Sequence, residues 1–173
     1  MRAFVLGLLV LPLGCRETLV QPDDGPGTVS VDWTASRTGN FSSRPETSWC
    51  LADSMLEILA IRGDTAFGLS LFAQDSIRLG QFPLVSGSIA ANWRPLAFGA
   101  LRLAADSVNV GFEAAAGSVQ VTRADSGRVS GTIEARFKRV DGPDTLRIIG
   151  KFVDLVIRPA AGLCGRTAKS GRH

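Results

Sequence analysis

"VSGTIEARF", residues Val129 to Phe137, alternates without a break. Val129, Gly131, Ile133, Ala135 and Phe137 fall on one side. Ser130, Thr132, Glu134 and Arg136 fall on the other. A period of two sustained this long predicts a half-buried strand. The same grammar recurs outward from it. "TVSVDW" places Val29, Val31 and Trp33 on one side, "FGLSL" places Phe67, Leu69 and Leu71, and "GSVQVT" places Val119 and Val121. Asp followed by Ser or Thr stands where strands should begin, at Asp53-Ser54, Asp64-Thr65, Asp75-Ser76, Asp106-Ser107, Asp125-Ser126 and Asp144-Thr145. An Asp side chain accepts hydrogen bonds from backbone two residues on and closes a turn. The spacing between these pairs is irregular, which excludes a solenoid or propeller. The chain therefore reads as all-β: an antiparallel β-sandwich or partly open β-barrel of about 7–9 strands.

The last hairpin permits a register. "DGPD", Asp141 to Asp144, predicts a four-residue loop that pairs Val140 with Thr145. Phe137 then faces Ile148, Ala135 faces Gly150, Ile133 faces Phe152 and Val129 faces Val156, with Glu134 opposite Lys151 on the other side. A slip of one residue would put Arg147 and Lys151 among the core positions, so the parity is well specified. Ile149, Val153, Leu155 and Ile157 make the final strand apolar on its second face as well. Such a strand is central or covered, and the strand around Val31 is a candidate cover. Gly131, Ala135 and Gly150 are small at inward positions; they either admit close packing or line a cavity.

Two stretches are less decisive. "ETSWCLADSMLEILAI" fits a helix face or a strand, and its flanking turns favour a strand from about Ser54 to Arg62. "RGD", Arg62 to Asp64, reads as a hairpin turn. Gly80 to Ala100 interrupts the alternation with two prolines and reads as a loop carrying Phe82, Trp93 and Phe98. Loops carry function more often than scaffold does, so Trp93, Arg94 and Phe98 are candidate partner or ligand contacts. The competing reading has Trp93 closing one end of the core.

The N-terminus concerns address. Met1-Arg2, an apolar run from Ala3 to Leu13, and Gly14-Cys15 form the pattern of a secretory signal. The run is too short to span a bilayer, which takes about 20 apolar residues. "VLPLGC", residues 10 to 15, resembles the lipobox of bacterial lipoproteins, with Pro12 where that family prefers Leu. The resemblance implies that residues 1–14 are a discarded signal peptide and that Cys15 is acylated and anchors the chain in a membrane. Arg16 in place of Asp implies outer-membrane sorting, with the domain facing the periplasm or the cell surface. Residues 15–28 then form the lipidated Cys and a flexible tether, "RETLVQPDDGPGT" after the Cys, with a reach of about 20 Å. Residues 29–164 form the β domain and 165–173 a disordered tail. The closing half, with Gly117 to Thr122, Val129 to Thr132 and Gly150 to Phe152, is similar to the end of small uncharacterised bacterial lipoproteins. That similarity implies an all-β domain and brings no activity.

Three cysteines occur, Cys15, Cys50 and Cys164. With Cys15 lipidated, Cys50 and Cys164 remain as a pair in an oxidising compartment, and a disulfide between them is expected. The net charge is only +3 and basic residues are scattered, so nucleic acid is not the expected partner. Sixteen arginines against three lysines read as coding composition, not as a phosphate-binding face. No Gly-x-Ser-x-Gly or Ser-x-x-Lys occurs, and the single histidine is the terminal His173. No catalytic residue, metal ligand set or cofactor is expected, and the chain does not read as an enzyme. The function read from the sequence is an envelope lipoprotein whose β domain is a binding or structural module for another envelope protein. The alternative is a lipocalin-like carrier of a small apolar ligand.

Overall fold

The computed structural model describes residues 25, 27–35, 38–87, 94–105, 108–125 and 127–160. The leader with Cys15, most of the tether, Trp93, Cys164 and the C-terminal tail lie outside the described residues. The fold is all-β. In chain order the strands are β1 (Thr28–Thr34), β2 (Thr38–Ser43), β3 (Glu46–Cys50), β4 (Met55–Arg62), β5 (Thr65–Phe72), β6 (Gly80–Pro83), β7 (Leu96–Ala105), β8 (Val108–Asp125), β9 (Arg128–Arg139) and β10 (Thr145–Val156). Nine of them run in the order β2-β1-β10-β9-β8-β7-β5-β4-β3, and β6 pairs with β8. β4, β5 and β10 begin within two residues of Asp53, Asp64 and Asp144, as the turn pairs predict. The RGD tripeptide is the β4–β5 hairpin turn, with Gly63 at φ +57°.

The two ends of this strand order, β2 and β3, are consecutive in the chain, with only Arg44 and Pro45 between them. A flat sheet cannot satisfy that connection, so the sheet curls until its edges meet. Several bonds join the edges. Thr47 Oγ1 donates to the Val156 carbonyl. The Trp49 N–H donates to the Arg158 carbonyl at 2.7 Å, and the Ala160 N–H to the Trp49 carbonyl at 3.1 Å. Ser43 Oγ donates to the Ile61 carbonyl at 2.9 Å. The result is a partly open barrel whose outermost strands are not left bare, which removes a template for aggregation.

The barrel interior holds one apolar cluster, including Leu56, Phe67, Phe137, Ile148 and Phe152. The face predicted to be inward in β9 is inward: Val129, Gly131, Ile133, Ala135 and Phe137 are all buried. The inward small residues admit packing. The Phe152 ring occupies the space over Gly131, where a Cβ would lie 2.9 Å from Phe152 Cε1 and 2.5 Å from the Gln120 carbonyl oxygen. Phe137 does the same over Gly99, with Cζ at 2.8 Å from a Cβ placed there.

The predicted register of the last hairpin is off by two. Phe137 pairs with Leu146, Ala135 with Ile148, Ile133 with Gly150 and Gly131 with Phe152. Parity survives because a shift of two keeps every side chain on its face. The cause is the loop, which is longer than "DGPD". Arg139 N–H bonds the Asp144 carbonyl at 2.8 Å, while its guanidinium holds Asp141 at 2.7 Å and Asp144 at 3.1 Å. Glu134 accordingly pairs with Arg147 at 2.8 Å, not with Lys151. The hydrogen bond and charge of Arg139 hold the Asp141 carboxyl below the usual carboxylate range.

β10 is central rather than covered: β1 pairs beside it, Val31 opposite Gly150. Ile149 and Val153 face outward and stay 50% and 45% exposed. Leu155 does not join them. The register shifts between Phe152 and Leu155, with Asp154 at φ +56°, and this bulge turns Leu155 into the core. The described residues of the Gly80–Ala100 stretch are not all loop. It holds β6 and the start of β7, and Phe98 lies on β7.

A second bulge, in β8 between Ala114 and Ala116, is followed by Gly117 at φ +126°. A Cβ there would stand 2.5 Å from Ala135 Cα and closer still to the Glu134 carbonyl oxygen. Gly117→Ala is therefore expected to destabilise the domain by about 3 kcal/mol, from backbone strain plus overlap. Gly63→Ala, with open space at its turn, should cost only about 1 kcal/mol. Urea midpoints of the two variants check this, and equal costs would refute the steric account.

Candidate functional site

Of the three residues singled out as contacts, Arg94 and Phe98 are described, and they are brought together through a second ring, that of Phe72. Inward Phe67, Leu69 and Leu71 on β5 force Phe72 outward. Phe98 lies on the neighbouring strand β7, directly opposite Ser70 and so diagonal to Phe72. The two rings meet edge to face with centroids 5.5 Å apart and an interplanar angle of 90°, the arrangement aromatic quadrupoles favour. Arg94 sits with its guanidinium carbon 5.2 Å from the Phe72 centroid. Its Nη1 also donates to the carbonyls of Asp53 and Ala73, the latter at 3.0 Å. Arg94 thus ties the chain after β5, and the 3-10 turn Leu51–Asp53, to the start of β7.

Behind this group runs a register row on the outer side of the barrel: Cys50 opposite Met55, Met55 opposite Phe72, Phe72 opposite Leu96. Cys50, Met55 and Leu96 are 2%, 5% and 3% exposed, yet none belongs to the interior cluster. They form a second, smaller apolar layer on the outside of β3, β4, β5 and β7. Cys50 is a disulfide cysteine; Cys15 and Cys164 both lie outside the described residues. Sequence reading missed Phe72, although the parity of "FGLSLF" carried the signal.

Farther along the wall, Leu59 and Ile61 are 39% and 53% exposed beside Gly68 and Ala66. The wall formed by β8, β9 and β10 is more polar, with Gln120, Thr132, Glu134, Arg136 and Arg147 outward beside Ile149 and Val153. It carries an open groove of about 660 Å³ beside the β8 bulge, bordered by Ser118, Glu134, Arg136 and Arg147. A smaller cleft of about 350 Å³ opens at the barrel mouth, lined by Trp49, Ser76, Ile77, Asp125, Arg128 and Ile157. Among the described residues no three His, Cys, Asp or Glu side chains gather as a metal site, and no helix is long and apolar enough to cross a membrane. The outer patch offers aromatic area and a guanidinium, the composition of an adhesive contact. No family model, curated protein or solved structure matches the chain.

Proposed function

We propose that this chain is an envelope lipoprotein, anchored in the outer membrane through acylated Cys15 and facing the periplasm or cell surface. Its β domain acts through its outer surface as a binding module for another envelope protein. Cys50 and Cys164 form its disulfide. The observation that carries the reading is the filled interior. Phe152 and Phe137 occupy the space over Gly131 and Gly99, so the small inward residues serve packing, which favours surface contact over an internal ligand chamber. The Arg94–Phe72–Phe98 group on the opposite side of the sheet supplies the contact.

Two measurements test it. A palmitate analogue should label the wild-type chain in cells and leave Cys15→Ala unlabelled; equal labelling of both ends the anchor reading. A photo-crosslinking amino acid at Phe98, in native membranes, should capture one defined protein. The same probe at Thr132, on the polar wall, should not. Capture should fall at least about tenfold when Arg94→Ala is added to the Phe98 probe. Equal capture from both walls, or capture indifferent to Arg94, rejects the outer patch as the contact.

A further inference from the structure

The wall of β8, β9 and β10 carries a charge arrangement that the outer patch does not explain. Arg136 on β9 stands directly opposite Arg147 on β10. Strand parity places both side chains on the outer face, and both are exposed. Residues opposite one another in an antiparallel ladder have Cβ atoms about 4.5–5.5 Å apart, and like charges so placed are destabilising. Glu134 relieves one of the two, through the bond from Arg147 at 2.8 Å. Arg136 has no acidic partner among the described residues. To one side Glu113 faces Lys138 in the ladder, and to the other Asp32 and Lys151 lie along the wall, so those charges cancel in pairs. One positive charge is left over. It borders the open groove of about 660 Å³.

Three hydroxyls border the same groove, those of Thr34, Ser118 and Thr145. Each lies on the outer face with the two arginines. Thr34 on β1 is opposite Arg147, Ser118 on β8 is opposite Glu134, and Thr145 precedes Arg147 by two residues on β10. None of the three has a hydrogen-bond partner among the described residues. Glu134 accepts the Arg147 bond through Oε1, which leaves its second oxygen as an acceptor. On β8 the residue opposite Arg136 is Ala116, at the bulge, so no long side chain covers the guanidinium from that side. A guanidinium takes a carboxylate through two parallel N–H···O bonds, and a single negative charge matches the surplus. A bare carboxylate would leave the hydroxyls unused and most of the groove empty, although its volume falls within the roughly 300–1,000 Å³ of ligand sites. A ligand with one carboxylate and several hydroxyls uses both.

We propose that this groove binds an acidic sugar, its carboxylate held between Arg136 and Arg147 and its hydroxyls on Glu134, Ser118 and the two threonines. The site stands independently of the membrane anchor and of the Arg94 group on the other wall. The test uses the purified chain with its disulfide intact, titrated separately with sodium glucuronate, glucose, sodium acetate and inorganic phosphate at constant ionic strength. Binding is read by calorimetry, and melting is followed in glucuronate and in chloride. Glucuronate is expected to bind with millimolar or tighter affinity and to raise the melting temperature. Glucose, which lacks the charge, and acetate, which lacks the hydroxyls, should each bind at least about tenfold more weakly. Arg136→Gln and Arg147→Gln should each weaken glucuronate at least about tenfold. Lys151→Gln removes the same charge from the same wall outside the groove and should leave binding unchanged. In chloride, Arg136→Gln should melt no lower than wild type, because it removes the opposition of like charges. The proposal is overturned if glucuronate does not bind at tens of millimolar, if glucose, acetate or phosphate binds as tightly, if Arg136→Gln binds as well as wild type, or if Lys151→Gln weakens binding as much as Arg136→Gln does.

Discussion

Ile133→Asp is expected to leave the domain unfolded. Ile133 is 2% exposed and lies between Gly150 on β10 and Val119 on β8. Among the described residues no cation is buried in the interior to pair with a carboxylate there, so the new group is buried unpaired or forced neutral. Either outcome, with the lost apolar contacts, costs about 4–5 kcal/mol or more, set against a typical domain stability of about 5–15 kcal/mol. The neighbouring change Thr132→Asp serves as control. Thr132 is exposed, with Lys151 on β10 and Gln120 on β8 as its cross-strand partners. Its cost should stay within about 0.5 kcal/mol. Circular dichroism and thermal melts of the two variants decide the matter, and equal losses would mean that the inward and outward faces of β9 are wrongly assigned.

The second large effect is expected from the proposed Cys50–Cys164 bridge. Cys50 ends β3 and is a buried disulfide cysteine. The segment after β10 runs parallel to β3, with Trp49 opposite Pro159 and Ala160 bonded to the Trp49 carbonyl. That brings the chain alongside Cys50 four residues before Cys164, a stretch that spans at most about 14 Å. The bridge closes a loop of roughly 115 residues, which the chain-entropy model values at about 4.7 kcal/mol. Cys50→Ser, Cys164→Ser and the double variant should therefore be destabilised equally, with melting lowered by roughly 10–20 °C. The denatured wild-type chain should show neither thiol until reductant is added. If Cys164→Ser melts with wild type while Cys50→Ser does not, the partner is not Cys164.

The outer patch shows how far local pattern reaches. Phe98 and Arg94 stood out as aromatic and cationic residues in a stretch without alternation. Their nearness to Phe72 depends on β5 and β7 pairing across the 23 residues between Phe72 and Leu96, a contact no local period encodes. β2 and β3 escaped notice for a related reason. "TGNFSS" and "ETSWC" are short and carry little alternation, and they become strands because β1 pairs with the first and β4 with the second. The register error in the β9–β10 hairpin came from Arg139 reaching Asp141 and Asp144. Those bonds lengthen the loop at no cost to the strand pattern on either side.

The amino-acid order alone determined the class of fold and the inward face of each alternating strand. Side-chain direction in a strand has a period of two set by backbone geometry, and burying one face allows only one parity. The turns at Asp53, Asp64 and Asp144 were likewise local, since a turn is made within a few residues. Only the tertiary structure decided the rest. Joining β2 to β3 across Arg44-Pro45 bends the sheet into a barrel. The bulge at Asp154 turns Leu155 inward, and Phe152 and Phe137 fill the space over distant glycines. Each of these depends on which strands become neighbours, a choice made by burial summed over the whole chain rather than by any window of it.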